Sequence, residues 1–241
     1  MNESELSKFA FNSLRGAIKQ DRNPTPDYEL SRDAAEYECL IFGLNQFFKY
    51  ASSLSPKPKI LDLGTGKGEA IRGFRNNGNY SGIDFYGLGL TNFPEHQTNF
   101  APGHFIKSSA EKMKIESNSV QGAISVFGAM THSLAPELIV SELNRILVKK
   151  GVVKFTNRNN DEQDEQLNSV IIQELTSHGF GAVLLNPDKH LRLKAGGDFK
   201  WVVGVGIKDG TQQEAINLLK SDLAEALEEF KKVYEPKFNN P

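Results

Sequence analysis

The chain has 241 residues, a length that suits one α/β domain with additions. A net charge of −2 and a sequence pI near 6.2 exclude a global field that would draw it onto nucleic acid or a membrane surface. Its single cysteine, Cys39, excludes an internal disulfide and a cysteine-rich zinc site.

The amino-terminal stretch MNESELSKFAF lacks the basic start and long apolar core of a signal peptide, and no apolar run reaches the roughly 18 residues of a membrane helix. A cytoplasmic protein is therefore expected. Leu6, Phe9, Phe11, Leu14 and Ile18 predict an amphipathic helix over residues 3–20. Residues 21–26 break it. Thr25 as N-cap and Pro26 at the first helical position then predict a second helix to about residue 52, with its apolar end, LIFGLNQFFKYA, packed on a sheet.

Residues 59–69, KILDLGTGKGE, organise the chain. Ile60, Leu61 and Leu63 read as a short buried strand, Gly64, Gly66 and Gly68 as a turn, and Glu69 as the start of a helix. Strand, glycine turn and helix form the crevice in which α/β sheets bind nucleotide-like ligands, and a glycine lets the backbone turn sharply and approach a ligand. Two phosphate loops fit worse. A P-loop needs a hydroxyl residue after its lysine, where Gly68 follows Lys67, and Leu61 stands where its first glycine belongs. The dinucleotide fingerprint counted from Gly64 requires a glycine at Glu69, and a glutamate there repels a pyrophosphate. The acid-x-G-x-G-x-G spacing starting at Asp62 resembles the first motif of class I S-adenosylmethionine (SAM)-dependent methyltransferases.

That resemblance implies a Rossmann-like three-layer α/β sandwich with a seven-stranded, mostly parallel sheet and an antiparallel last strand. It runs from about residue 59 to residue 156. Three regions are expected: N-terminal helices over 1–52, a SAM-binding core over 53–208, and a C-terminal helix and tail over 209–241. In this family an N-terminal addition often caps the substrate side; a simple helical brace is an equal alternative. Tyr28, Arg32 and Tyr37 are the polar or aromatic residues of interest there, Tyr28 and Arg32 as candidate substrate contacts.

A helix is predicted from Glu69 to about Asn76, stopped by Gly78, and a second strand over residues 80–84. Asp84 then falls at a carboxyl strand end, about 20 residues past the glycine loop. By resemblance it would hold the ribose hydroxyls, with Phe85 against the adenine. Residues 86–103 carry two glycines and two prolines with little periodicity and read as an irregular loop or a short helix. A strand over 104–108 leads to Ser109, Ala110 and Glu111, expected to meet the adenine. Related enzymes often have an aspartate where Ser109 stands; a hydroxyl there forgoes an ionic acceptor, a loss of about 1 kcal/mol.

A strand over 121–127 ends at Phe127, expected beside the reactive end of the cofactor, and His132 follows. A neutral imidazole at that place can take a proton from a hydroxyl acceptor; a surface histidine leading a helix is the competing reading. An Asn/Asp-Pro-Pro-aromatic motif and a nucleophilic cysteine are both absent here, which argues against the common nucleic-acid modes. Pro136 opens a helix expected to reach Lys150, with Gly151 as its stop and a strand over 152–156. Asn157 and Arg158, at that strand's carboxyl end, are further candidate substrate contacts.

The acidic residues 159–165 lead into a helix to about His178, then strands over 181–185 and 201–207. Between them Lys189, His190, Arg192 and Lys194 form a basic excursion, a soluble loop or a site for an anionic acceptor. Thr211 and Glu214 form a capping box for a last helix to about Tyr234. That helix would pack on the N-terminal helices or on a second subunit, giving a homodimer.

The expected function is SAM-dependent methyl transfer to a small-molecule acceptor, leaving S-adenosylhomocysteine, with no metal, nucleic acid or membrane partner. Two rivals remain: a non-catalytic SAM- or nucleoside-binding module, and a protein or RNA methyltransferase using the basic excursion.

Overall fold

The computed structural model describes residues 32–133, 135–186 and 201–238. The expected helix over 3–20, the candidate Tyr28 and the basic excursion at Lys189, His190, Arg192 and Lys194 lie outside the described residues.

The elements run α1 (Ala34–Ile41), α2 (Asn45–Ser53), β1 (Lys59–Leu63), α3 (Glu69–Asn76), β2 (Asp84–Gly89), α4 (His96–Asn99), β3 (Phe105–Lys107), β4 (Val120–Val126), α5 (Ala129–His132), α6 (Pro136–Ile146), β5 (Leu147–Arg158), α7 (Glu162–Ser177), β6 (Phe180–Leu185), β7 (Trp201–Lys208) and α8 (Gln212–Phe238). The strands form one sheet in the order β3-β2-β1-β4-β5-β7-β6. The pairs among β1 to β5 are parallel, and β7 runs antiparallel to both of its neighbours.

Strand alternation sorts the core into two layers. Ile60, Phe85, Ile124, Val152 and Val205 face α1, α2, α3 and α8. Leu61, Leu63, Leu88, Val153 and Phe155 face α5, α6 and α7. Near-continuous burial of β4 and β5 is what a sheet covered on both faces requires.

Four expected boundaries are corrected. The helix predicted to run unbroken to residue 52 is interrupted by Phe42 and Gly43, both left-handed at φ 58° and 68°. Asp33 caps α1: its carboxylate accepts from the Glu36 N–H (2.9 Å), and Glu36 accepts from the Asp33 N–H (3.0 Å). The helix from Pro136 stops at Ile146, because Leu147 already pairs with Val120 and Lys150 turns the chain at φ 63°.

The second strand is displaced by a full element. Residues 78–80 form a 3-10 turn, and β2 begins at Asp84, which pairs with Lys59 at the amino end of β1. Gly87 and Gly89, read from sequence as loop signals, lie inside that strand. Gly87 is there because a Cβ would come within 2.4 Å of the Phe100 ring. Residues 86–103, expected to form an irregular loop or a short helix, supply most of β2 as well as the short helix α4.

Candidate active site

The sheet order reverses between β1 and β4, so a crevice opens beyond their carboxyl ends. Both connecting loops reach it. After Leu63 the chain turns through Gly64, Gly66 and Gly68 at φ 83°, 55° and 81°, a region that side-chain-bearing residues rarely adopt. The Gly64 and Thr65 N–H groups donate to the Leu88 carbonyl at 2.9 and 3.2 Å, and the Gly68 N–H donates to the Thr65 carbonyl at 3.0 Å. A Cβ at Gly64 would lie 2.8 Å from the Ala129 nitrogen, so the loop after β4 sits directly on the glycine loop.

Asp62 is completely buried beneath this turn. Its carboxylate accepts the Tyr37 hydroxyl at 3.0 Å to one oxygen and 3.2 Å to the other. Burial pushes the Asp62 carboxyl up to about 7, with the Thr65 and Tyr37 hydroxyls pulling the other way. Burial, and then the same carboxylate, push the Tyr37 hydroxyl well above its ordinary value. Thr65 Oγ1 is buried and makes no hydrogen bond of acceptable geometry. It nevertheless lies close enough to Asp62 to act on that carboxyl. It lies in the glycine turn itself, at the crevice.

Past β3, the Ser109 hydroxyl donates to Glu111, and Ser133 donates to the other carboxylate oxygen at 2.7 Å. Glu111 thus bridges the loop after β3 to the loop after α5. Burial acts to raise its carboxyl, but the two serine hydroxyls and its own backbone bring it below the usual range. Ala110 is buried in the core. The Ser109 hydroxyl is committed to Glu111 as a donor, and it accepts the Glu111 N–H at 3.1 Å.

Phe127 is left-handed at φ 47°, and the Arg32 guanidinium carbon lies 5.2 Å from its ring centroid. Two candidates separated by 95 positions are thereby brought together. His132 is half-buried at the end of α5, one turn from Ala129. Arg158 is half-buried at the end of β5 and pairs in register with Trp201.

Three assignments are corrected. Asp84 stands at the amino end of β2, opposite the glycine loop, where Lys57 pairs with it at 3.0 Å. It cannot reach a ribose beyond the carboxyl ends. Phe85 is buried among Phe48 and Phe74 in the core, away from any adenine. Asn157 is buried with both ends of its amide occupied: it accepts from Thr131 Oγ1 at 2.8 Å and donates to Asn168 at 3.0 Å. It braces α5 and α7 against β5 and does not face an acceptor.

At the carboxyl end of β2 stand Leu90, Thr91 and Asn92, all exposed. Sequence reasoning missed them because the strand was placed five residues early. It also missed His96 and Asn99, which hydrogen-bond the carbonyls of Gly66 and Lys67 at 2.7 and 2.8 Å. Lone polar residues in an aperiodic stretch gave no signal.

Among the described residues no group of histidine, cysteine and carboxylate side chains is placed to hold a metal. No described helix is long and apolar enough to cross a membrane.

Sheet order, reversed seventh strand and glycine turn at the switch point define a Rossmann-like methyltransferase fold. Residues 61–155 match the family described as "Methyltransferase domain". Geranyl diphosphate methyltransferase, in its complex with GPP and sinefungin, is 12% identical over 72% of this chain and 78% of that one, with a TM-score of 0.51. Burkholderia thailandensis 1,6-didemethyltoxoflavin-N1-methyltransferase, with 1,6-didemethyltoxoflavin and S-adenosylhomocysteine bound, is 14% identical over 87% and 92% of the two chains, with a TM-score of 0.50. No curated protein matches the chain. Residues 61–155 are thus similar to a methyltransferase domain, a domain that uses SAM as its cofactor.

Proposed function

We propose that this protein is a SAM-dependent methyltransferase acting on a small-molecule acceptor. The observation that carries the reading is the glycine turn at the switch point, left-handed at Gly64, Gly66 and Gly68, beyond the carboxyl ends of β1 and β4. The turn fits a nucleotide-like ligand without a phosphate, because Glu69 opens the helix that follows. Gly64, Thr65, Gly66 and Gly68 would hold the methionine end, with Asp62 beneath them. Thr91 and Asn92 would meet the ribose, and the backbone of Ser109, Ala110 and Glu111 the adenine. When bound, SAM supplies an electrophilic methyl group on a sulfonium.

The chain's own contribution is alignment and exclusion of water. Phe127, under Arg32, walls the crevice between the glycine loop and the acceptor side. His132, at the end of α5, would accept the proton that the acceptor's nucleophilic atom loses as it takes the methyl.

The small-molecule class rests on the absence of an Asn/Asp-Pro-Pro-aromatic motif after β4 and of a nucleophilic cysteine there. A cavity of about 490 Å³ beside β6 and α7, lined by Asn159, Glu165, Ser169, Leu184, Leu185 and Val202 among others, lies apart from the glycine turn, Phe127 and His132.

The test is incubation of the purified protein with SAM and panels of hydroxylated, amine and heterocyclic compounds, following S-adenosylhomocysteine by mass spectrometry. Acceptor-dependent formation is expected from one compound class. SAM binding with no turnover on any panel, and turnover on RNA or protein instead, would overturn the small-molecule assignment.

A further inference from the structure

The stretch from Phe93 to Phe100 folds onto the outside of the glycine loop and holds it at three consecutive residues. His96 is buried at 6% exposure, and its Nε2 lies 2.7 Å from the Gly66 carbonyl oxygen. A carbonyl only accepts, so Nε2 carries the proton. Nδ1 accepts the Phe93 N–H at 3.3 Å, which fixes the neutral tautomer. The ring lies 3.7 Å from Phe105, centroid to centroid, and meets Phe93 and Phe100 edge-on.

Three residues on, Asn99 Nδ2 donates to the Lys67 carbonyl at 2.8 Å. The Asn99 carbonyl in turn accepts from Arg75 at 2.9 Å, so the clamp is itself anchored on α3. The Lys67 ammonium pairs with Glu95 at 3.2 Å. The Phe100 ring fills the space a Gly68 side chain would need: a Cβ there would come within 2.3 Å of it.

A trans peptide is planar, with its C=O and the following N–H pointing in opposite directions. Holding the Gly66 carbonyl toward His96 therefore aims the Lys67 N–H away from the clamp. Holding the Lys67 carbonyl toward Asn99 does the same for the Gly68 N–H, which donates to Thr65. A loop with three glycines loses much conformational freedom on ordering. External hydrogen bonds that order it beforehand lower the cost of binding.

We infer that His96 and Asn99 are positioning residues of the cofactor loop, acting through the Gly66 and Lys67 carbonyls. This rests on the reading of that loop as the SAM site.

The test is calorimetric titration with SAM and S-adenosylhomocysteine of wild type, His96→Phe, His96→Gln and Asn99→Ala, well below each melting temperature. His96→Phe keeps the aromatic packing and removes the donor; His96→Gln restores a donor. The Kd is expected to rise roughly tenfold in His96→Phe and Asn99→Ala, the equivalent of one hydrogen bond, and to stay within about threefold of wild type in His96→Gln. Amide exchange at Lys67 should quicken in His96→Phe and not in His96→Gln. Wild-type Kd values in His96→Phe and Asn99→Ala, with only their melting temperatures lowered, would overturn the inference and leave the SAM site standing. Absence of SAM binding by wild type itself would overturn the site reading and the inference with it.

Discussion

The Tyr37 hydroxyl donates to both oxygens of Asp62, at 3.0 and 3.2 Å, and joins α1 to the end of β1 inside the core. This makes the N-terminal helices part of the site's foundation. Any change in the charge of Asp62 is felt by α1.

Stability should therefore fall with rising pH across the range in which Asp62 ionises. Its carboxyl is raised by burial to about 7, against 3.8 ordinarily. The folded state holds a proton that the unfolded chain releases between those values. The contribution is fully present below the unfolded value and is lost as pH rises through about 7, amounting to on the order of 4 kcal/mol. Denaturant melts from pH 4 to 8 should show the decline, and Asp62→Asn should flatten it. An equal slope in Asp62→Asn would contradict the assignment.

A second buried pair closes the other end of the same layer. Lys154 Nζ contacts Asp222 at 2.5 Å and the Gly43 carbonyl at 2.8 Å, with both side chains fully buried. Burial lowers the lysine and raises the aspartate, and each offsets the shift in the other. Lys154→Met should destabilise by about 3–5 kcal/mol, because Asp222 is left buried without its cation. The double variant Lys154→Met with Asp222→Leu should recover most of that loss, as chemical denaturation of the four proteins would reveal.

Thr65→Val separates stability from binding. The hydroxyl makes no hydrogen bond of good geometry and acts weakly on Asp62, so its removal should change the stability of the ligand-free protein by no more than about 1 kcal/mol. SAM affinity should fall by about 1–2 kcal/mol if the ligand completes that hydroxyl. Melting curves and titrations on the same sample decide it; unchanged affinity would remove Thr65 from the site.

Asp84→Ala should leave SAM affinity unchanged. Its partner is Lys57, whose side chain is 70% exposed, and a pair of that kind contributes less than about 1 kcal/mol. A large loss of affinity would instead place Asp84 at the carboxyl end of its strand and refute the observed register.

The core of the domain was legible in the sequence because its signals are local. Asp62 to Gly68 marks a strand, a turn and a helix in one run, and the capping box of Thr211 and Glu214 forms as read, with distances of 2.6 and 3.2 Å. The register of β2 was not legible. The acid at position 84 imitates a strand end, whereas Gly87 and Gly89 look like loop. What places the strand is the Phe100 ring packed against Gly87, a contact across 13 residues of aperiodic chain. The break at Phe42 and Gly43 follows the same logic. It frees carbonyls that Lys154 takes up 111 residues later, and nothing near Phe42 announces that.

The central claim is that the glycine turn binds SAM, and calorimetric titration of the wild-type protein with SAM and S-adenosylhomocysteine tests it most directly. One site of micromolar affinity for each is predicted. Absence of binding to protein shown to be folded and free of copurified ligand would contradict the claim, and would leave a methyltransferase fold whose glycine turn serves only to pack β1 against β4.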